Sequence, residues 1–369
     1  MSIQKSFYQV LDVALLLETD SDPLLRLFER DYALFRAPSV DLDRLLTVSA
    51  RLHDKQADPW LSIDNKLISL RNHPAPSIYA YQAILGALFK NIRDFLVLHA
   101  GVVARDGQAL ILAGVPGAGK TTLVLELLKR RFSFFSDDFC PINRESRLVH
   151  PFPRSVWSSA PSEQSTQKTV TGSPGEGMRG DKIPIWPDKL GAIVAKEPCR
   201  AKWLICLDSG DDSDHGCELE VWLNEGSEGE QLLLDVRRLK GVTVEGLNTG
   251  LCEWRIEYPI GRGITSEMKL LLKKYENAIW HVFRRDSVGP DFAREPVLSP
   301  IAPSEAAFCL LRDLKGAISP RAKGETCEPS PMQVFLCLSE ILTDVSCYRL
   351  RVGRLQSMCD LILQLAGQQ

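Results

Sequence analysis

Apolar positions along this chain recur with two periods, and the changes between them predict the elements. Ala109-Leu110-Ile111-Leu112-Ala113 is an unbroken apolar run, the pattern of a strand buried on both faces. Thr121 to Arg131 carries Leu123, Val124, Leu127 and Leu128 at helical spacing. Arg131 to Ser136 is rich in aromatic residues and predicts a strand whose C-terminal end bears Asp137 and Asp138. Residues 77–97 read as an amphipathic helix running into a strand, which delivers His99. Upstream, Leu24, Leu25, Leu27 and Phe28 predict a short helix, and Asp41 to Leu52 a second one capped by Asp41 or Asp43. Downstream, Ala201–Leu207 and Leu219–Leu223 are strand-like and flank an acidic Gly/Ser tip, which reads as the solvated end of a hairpin. Residues 229–240 and 266–280 read as helices, 255–259 as a strand and 287–303 as a linker. Residues 304–315 and 332–369 read as helices again.

This alternation predicts an α/β fold. The 369 residues divide into an N-terminal accessory region at 1–80, an α/β core at 81–285 and a mainly helical C-terminal region at 286–369. Composition narrows the class. Hydrophobic residues make up 44% and charged residues 25%, values of a globular protein with a sizeable core. A net charge of -3 and a pI near 6.1 lack the basic footprint of a nucleic-acid binder. No apolar run reaches membrane-spanning length, and Val13–Leu17 lacks the flanks of a signal peptide. The ten cysteines form no C-x-x-C and no zinc spacing. Their apolar settings predict buried thiols in a reducing cytoplasm.

Gly114-Val115-Pro116-Gly117-Ala118-Gly119-Lys120-Thr121 matches G-x-x-x-x-G-K-[ST], the phosphate-binding loop of nucleotide-binding proteins. The pattern arises by chance in about one per cent of chains this long, and here it lies between a predicted strand and a predicted helix. A loop that wraps phosphates needs exposed backbone N–H groups and unusual φ values, which glycine allows. A helix starting just after it directs its positive end at the anion. The expected nucleotide-binding residues are Gly114, Pro116, Gly117, Ala118, Gly119, Lys120, Thr121 and Thr122. Lys120 neutralises phosphates, and the Thr121 hydroxyl holds Mg²⁺. If the strand ending at Asp137 runs parallel to the strand before the loop, both carboxylates face those phosphates. One would then serve the metal and the other accept a proton from an attacking hydroxyl. Arg154, after Pro151-Phe152-Pro153, is expected either to meet a phosphate or to lie on the surface. Residues 158–181 read as a mobile loop and candidate lid, with Arg179 and Lys182 as anion contacts or ordinary surface charges.

Four segments together carry a family resemblance: Leu98-His99-Ala100-Gly101-Val102-Val103, Gly114 to Thr122, Phe135-Ser136-Asp137-Asp138 and Pro151-Phe152-Pro153-Arg154. In order and spacing the chain resembles the kinases related to HPr kinase/phosphorylase, and most of all the HPr-kinase-like proteins of peptide-modification gene clusters. The match covers roughly residues 75–155, with a looser likeness of layout to about 280. The resemblance implies a P-loop kinase core similar in fold to phosphoenolpyruvate carboxykinase, using ATP and Mg²⁺ to phosphorylate a serine of a protein or peptide. It implies Asp137 as proton acceptor, Asp138 beside the metal with Thr121, and His99 near the reacting phosphoryl group; Lys120 holds phosphates. The family's Glu-Arg-Gly after the aspartates is echoed only by Met178-Arg179-Gly180, with Glu176 the nearest acid. Its phosphorylase-linked segment has no counterpart, so neither the reverse reaction nor HPr as substrate is expected. A small-molecule kinase and a nucleotide-gated binding protein remain the alternatives, and a homo-oligomer is open.

Overall fold

The computed structural model describes residues 3–38, 45–52, 58–71, 73, 75–115, 117–159, 182–208, 216–223, 227–248, 253–259, 262–286, 292–313 and 331–367. Its first unit is a five-stranded sheet in the order β1-β2-β3-β4-β5. The strands are β1 (Gln4–Val10), β2 (Val13–Thr19), β3 (Leu45–Arg51), β4 (Trp60–Ile63) and β5 (Lys66–Ser69). Helix α1 (Asp22–Tyr32) lies between β2 and β3 in the chain, and α2 (Pro76–Asn91) follows β5. Both helices pack on this sheet in one apolar core. Ser21 caps α1 by accepting the Leu24 N–H. The helix expected over 41–52 is instead a strand across its described part. Leu46, Val48 and Ala50 are buried while Thr47 between them is exposed, a period of two that a neighbouring sheet rewards and an isolated helix would not. The boundary expected at residue 80 falls inside α2.

His73, just before α2, is 7% exposed, and its Nδ1 accepts the Ala75 N–H at 3.0 Å. Burial lowers its pKa from 6.5 to about 4. The folded state therefore holds a neutral imidazole across a pH range where the unfolded chain binds a proton. Stability contributed above pH 6.5 is lost as pH falls towards 4. The loss amounts to up to about 3 kcal/mol, since each tenfold change in proton affinity is worth about 1.4 kcal/mol. His73→Asn keeps an acceptor near Ala75 and removes the titration. Its urea midpoint should fall less than that of the wild type between pH 7 and pH 4.5.

The second unit is a nine-stranded sheet. In chain order it begins with β6 (Phe95–Leu98), β7 (Ala100–Arg105), β8 (Gln108–Ala113), the helix α3 (Lys120–Leu128), β9 (Ser133–Ser136), β10 (Cys140–Asn143) and β11 (Leu148–Val149). A ribbon of β12 (Val156–Ser159) and β13 (Lys182–Ile185) stands apart from it. β14 (Cys199–Asp208) returns to the sheet and runs parallel to β8. The next residues leave it again. β15 (Gly216–Leu223), α4 (Ser227–Arg237), β16 (Thr243–Asn248), β17 (Glu253–Pro259), α5 (Arg262–Lys274) and β18 (Ile279–Asp286) form a separate unit. Its order is β16-β17-β15-β18, antiparallel throughout, the split-βαβ (ferredoxin-like) arrangement. It has its own core around Leu219, Leu232, Ile256 and Met268. The hairpin expected between 201 and 223 is therefore not formed: β14 and β15 belong to different sheets. The helix expected over 266–280 ends at Lys274, and Ile279 opens β18.

The C-terminal region completes the large sheet. β19 (Val297–Pro300) pairs with β20 (Ser346–Arg351), which lies parallel to β14. The linker expected over 287–303 thus contains a strand, and the helix expected over 332–369 is interrupted by one. Around them lie α6 (Pro303–Asp313), α7 (Pro331–Ile341) and α8 (Leu355–Gly367). Alternate residues of β8 face opposite cores. Ala109, Ile111 and Ala113 meet α6 and α7 on one side, while Leu110 and Leu112 meet α3 and α8 on the other. The fold is mixed α/β with helices on both faces of this sheet, which accounts for the unbroken apolar run. Among the described residues no helix is long and apolar enough to cross a membrane.

Candidate functional site

Strand register brings the candidate residues together. β7 lies between β8 and β9 and is antiparallel to both, so β8 and β9 run the same way. Ala100 pairs with Ala113, and Val102 pairs with both Ile111 and Ser136. His99 before β7, Gly114 after β8 and Asp137 after β9 therefore share one end of the sheet. This is the C-terminal end of β8 and β9, where open α/β sheets bind ligands.

The loop after β8 leads directly into α3. Gly117 and Gly119 have φ of 87° and 88°, a region costly for side chains with a Cβ. Gly119 is the helix N-cap. Lys120 is 6% exposed, and its Nζ donates to the carbonyls of Gly114 at 2.7 Å and Val115 at 3.2 Å. The ammonium is thus drawn back over the loop. Gly114, Ala118, Thr121 and Thr122 take their expected places in this loop and the first turn of α3; Pro116 lies outside the described residues.

The Thr121 hydroxyl donates to Asp137 Oδ2 at 3.4 Å. Asp137 is 6% exposed. Asp138 turns the other way: its Oδ1 is 3.8 Å from His99 Nδ1, and each side chain is 33% exposed. Ser136 sets this division. Its hydroxyl, 1% exposed, accepts the N–H groups of Asp138 at 3.3 Å and Phe139 at 3.0 Å. The turn is held from beneath, one carboxylate towards α3 and the other towards His99. Sequence reasoning missed Ser136 as a positioning group, although a serine one residue before paired aspartates at a strand end is a turn signal.

No protein-family profile fits the chain, and no curated protein is significantly similar to it. The site therefore rests on its own geometry.

Arg154 is not on the surface. It is 7% exposed, and Nη2 donates to Asp31 Oδ2 at 3.3 Å and to the Tyr81 hydroxyl at 3.4 Å. Its guanidinium lies 5.1 Å from the Tyr32 ring centroid and 5.2 Å from that of Phe139. Arg30 also grips Asp31, donating from Nε at 3.0 Å and Nη2 at 2.9 Å. Burial pushes the Asp31 carboxyl up, but these hydrogen bonds and the Arg154 charge outweigh it and hold the pKa below the ordinary value. Phe139, the residue after Asp138, packs its ring 4.9 Å from Phe89 of α2 and 5.5 Å from Phe152. The N-terminal unit and the turn bearing Asp138 thus share one buried aromatic and ionic cluster.

Lys182 opens β13 opposite Ser159, so the described start of the loop expected over 158–181, residues 158 and 159, is a strand paired with β13. The root of the ribbon reaches the core beside α3, where Val156 is fully buried. Glu176, Met178 and Arg179 lie outside the described residues. Burial raises the thiols of Cys199, Cys347 and Cys359 to about 11, which makes these three poor nucleophiles.

A Mg²⁺ ion suits the donors at the loop. Among the described residues no three His, Cys, Asp or Glu side chains converge as a metal cage. Mg²⁺ needs none, because it keeps several waters and takes one or two protein oxygens plus phosphate oxygens. The Thr121 hydroxyl and the Asp137 carboxylate are an oxygen pair of that kind.

Proposed function

We propose that this chain is an ATP- and Mg²⁺-dependent kinase that phosphorylates a serine hydroxyl of a protein or peptide. One observation carries the reading. The glycine-rich loop with Lys120 and Thr121, the buried Asp137 and the Asp138–His99 pair meet at one end of one sheet, although three strands contribute them. Loop amides and Lys120 would hold the phosphates and stabilise their charge. Mg²⁺, held by Thr121 and Asp137, would supply charge neutralisation on the phosphates.

The two carboxylates exchange the roles that the family resemblance implies. Asp137 is buried against the metal-side hydroxyl. Asp138 is the more open, and His99 beside it can orient it. In the transfer, the acceptor oxygen bonds to the γ-phosphorus as its bond to the β–γ bridging oxygen breaks. Asp138 takes the hydroxyl proton and ADP leaves. The eight described cysteines are all free thiols, which suits a cytoplasmic protein.

Purified protein incubated with Mg-ATP and serine-containing peptides is the direct assay, read by mass spectrometry for phosphoserine. Wild type should label peptide, while Lys120→Ala should lose both labelling and nucleotide affinity. Labelling confined to small alcohols would make the protein a metabolite kinase. Tight ATP binding with no transfer to any acceptor would make it a nucleotide-gated binding protein.

A further inference from the structure

Phe292 is the first described residue after the inserted βαββαβ unit, and its ring lies against the glycine-rich loop. A Cβ built on Gly119 would stand 3.2 Å from Phe292 Cε1 and 3.4 Å from Cζ. Gly119 is favoured by its φ of 88°, and a Cβ there would also press on this ring. Yet Phe292 is 44% exposed. It is part-exposed beside a loop whose polar groups are its backbone amides, Lys120 and the hydroxyls of Thr121 and Thr122.

Its position is anchored two residues on. Arg354 N donates to Arg294 O at 2.8 Å, and Arg294 Nε donates to Val352 O at 2.9 Å. Between them Gly353 lets the segments cross: a Cβ there would collide with Arg294 O and stand 2.7 Å from Pro296 N. Val352 N in turn donates to Asp208 O at 2.9 Å. Residues 292–296 are thus strapped across the C-terminal ends of β14 and β20. Both strands run parallel to β8, so the strap lies at the sheet end where the loop opens.

We propose that Phe292 is the base platform of the nucleotide site, stacking on the purine of the bound nucleoside triphosphate. This rests on the nucleotide-binding reading above and adds what that reading lacks. Loop amides and an ammonium recognise phosphates alone and would accept any polyphosphate. A base is distinguished by its π-face, which an aromatic ring already fixed in place meets with little loss of conformational freedom. The base is joined to the phosphates through a single ribose, so a ring touching Gly119 is within its reach.

The test compares dissociation constants for ATP and for inorganic tripolyphosphate by titration calorimetry on the full chain. Stacking is worth about 1–3 kcal/mol per base, so Phe292→Ala should weaken ATP by roughly 5- to 150-fold. Tripolyphosphate should change less than about twofold, because it has no base to stack. Phe292→Tyr should bind ATP like the wild type. Phe292→Trp should show fluorescence quenched by ATP and not by tripolyphosphate, a readout that holds even if the alanine variant misfolds. Unchanged ATP affinity in Phe292→Ala overturns the proposal. So does an equal shift for both ligands, which would make the ring a brace or a plug of the phosphate loop. Lys120→Ala separates the two readings. If it weakens both ligands while Phe292→Ala spares ATP, only the base platform falls. If wild type binds neither ligand, the nucleotide site itself falls.

Discussion

Asp138→Asn should slow phosphoryl transfer by about 10²- to 10⁴-fold, the usual contribution of a positioned general base, while ATP affinity stays within a few-fold of the wild type. The expectation follows from the turn at the end of β9. Ser136 holds the N–H groups of Asp138 and Phe139, so the asparagine side chain should keep its place beside His99 and lose only its basicity. Asp137→Asn should behave differently. That carboxylate is buried against the Thr121 hydroxyl, and its loss should raise the Mg²⁺ concentration needed for half-maximal rate. Single-turnover rates measured across a Mg²⁺ titration separate the two. A normal rate in Asp138→Asn, with a loss in Asp137→Asn that added Mg²⁺ leaves uncorrected, would return the base to Asp137.

Asp31→Asn should lower unfolding stability by about 3–5 kcal/mol, the loss that follows when one partner of a buried ion pair is removed. Asp31 is 2% exposed and Arg154 7%. Without the carboxylate, the Arg154 guanidinium loses its ion-pair partner and keeps the rings of Tyr32 and Phe139 and the Tyr81 hydroxyl. Removing Asp31 and Arg154 together, as in Asp31→Leu with Arg154→Met, should cost less than the single change, because the more deeply buried guanidinium is no longer stranded and Arg30, 18% exposed, can turn to water. Denaturant midpoints of the two variants decide it. A single variant within about 1 kcal/mol of wild type would place the cluster among the many ion pairs that contribute little. The depressed Asp31 pKa gives the sign with pH: its contribution is complete above the ordinary carboxylate range and is lost as acidification protonates it in the folded state.

The loop, its flanking strand and helix, and the strand ending in two aspartates are contiguous in the chain. Their signals are local: glycine spacing, an apolar run, an aromatic run. Lys120, Thr121, Asp137, Asp138 and His99 are therefore legible as candidates from residues 98–138 alone. Residues 45–51 are not legible in this way. A seven-residue stretch with Leu45, Leu46 and Val48 fits either period until a sheet edge is present, so it reads as a helix and folds as a strand. Residues 287–369 read as a linker and helices, although β19 and β20 stand within the large sheet, β20 beside β14.

Residue types and local spacing were enough to single out the glycine-rich loop and the acids that follow it, because those elements need no distant partner to be recognised. Four matters were decided only by the tertiary structure: which carboxylate faces Thr121, that Arg154 is buried on Asp31, that a ferredoxin-like unit interrupts the sheet, and that Phe292 rests on Gly119. The physical reason is separation along the chain. Arg154 and Asp31 lie 123 residues apart, and such pairs are set by strand register and packing, which depend on the whole sheet and leave no periodic trace in either segment.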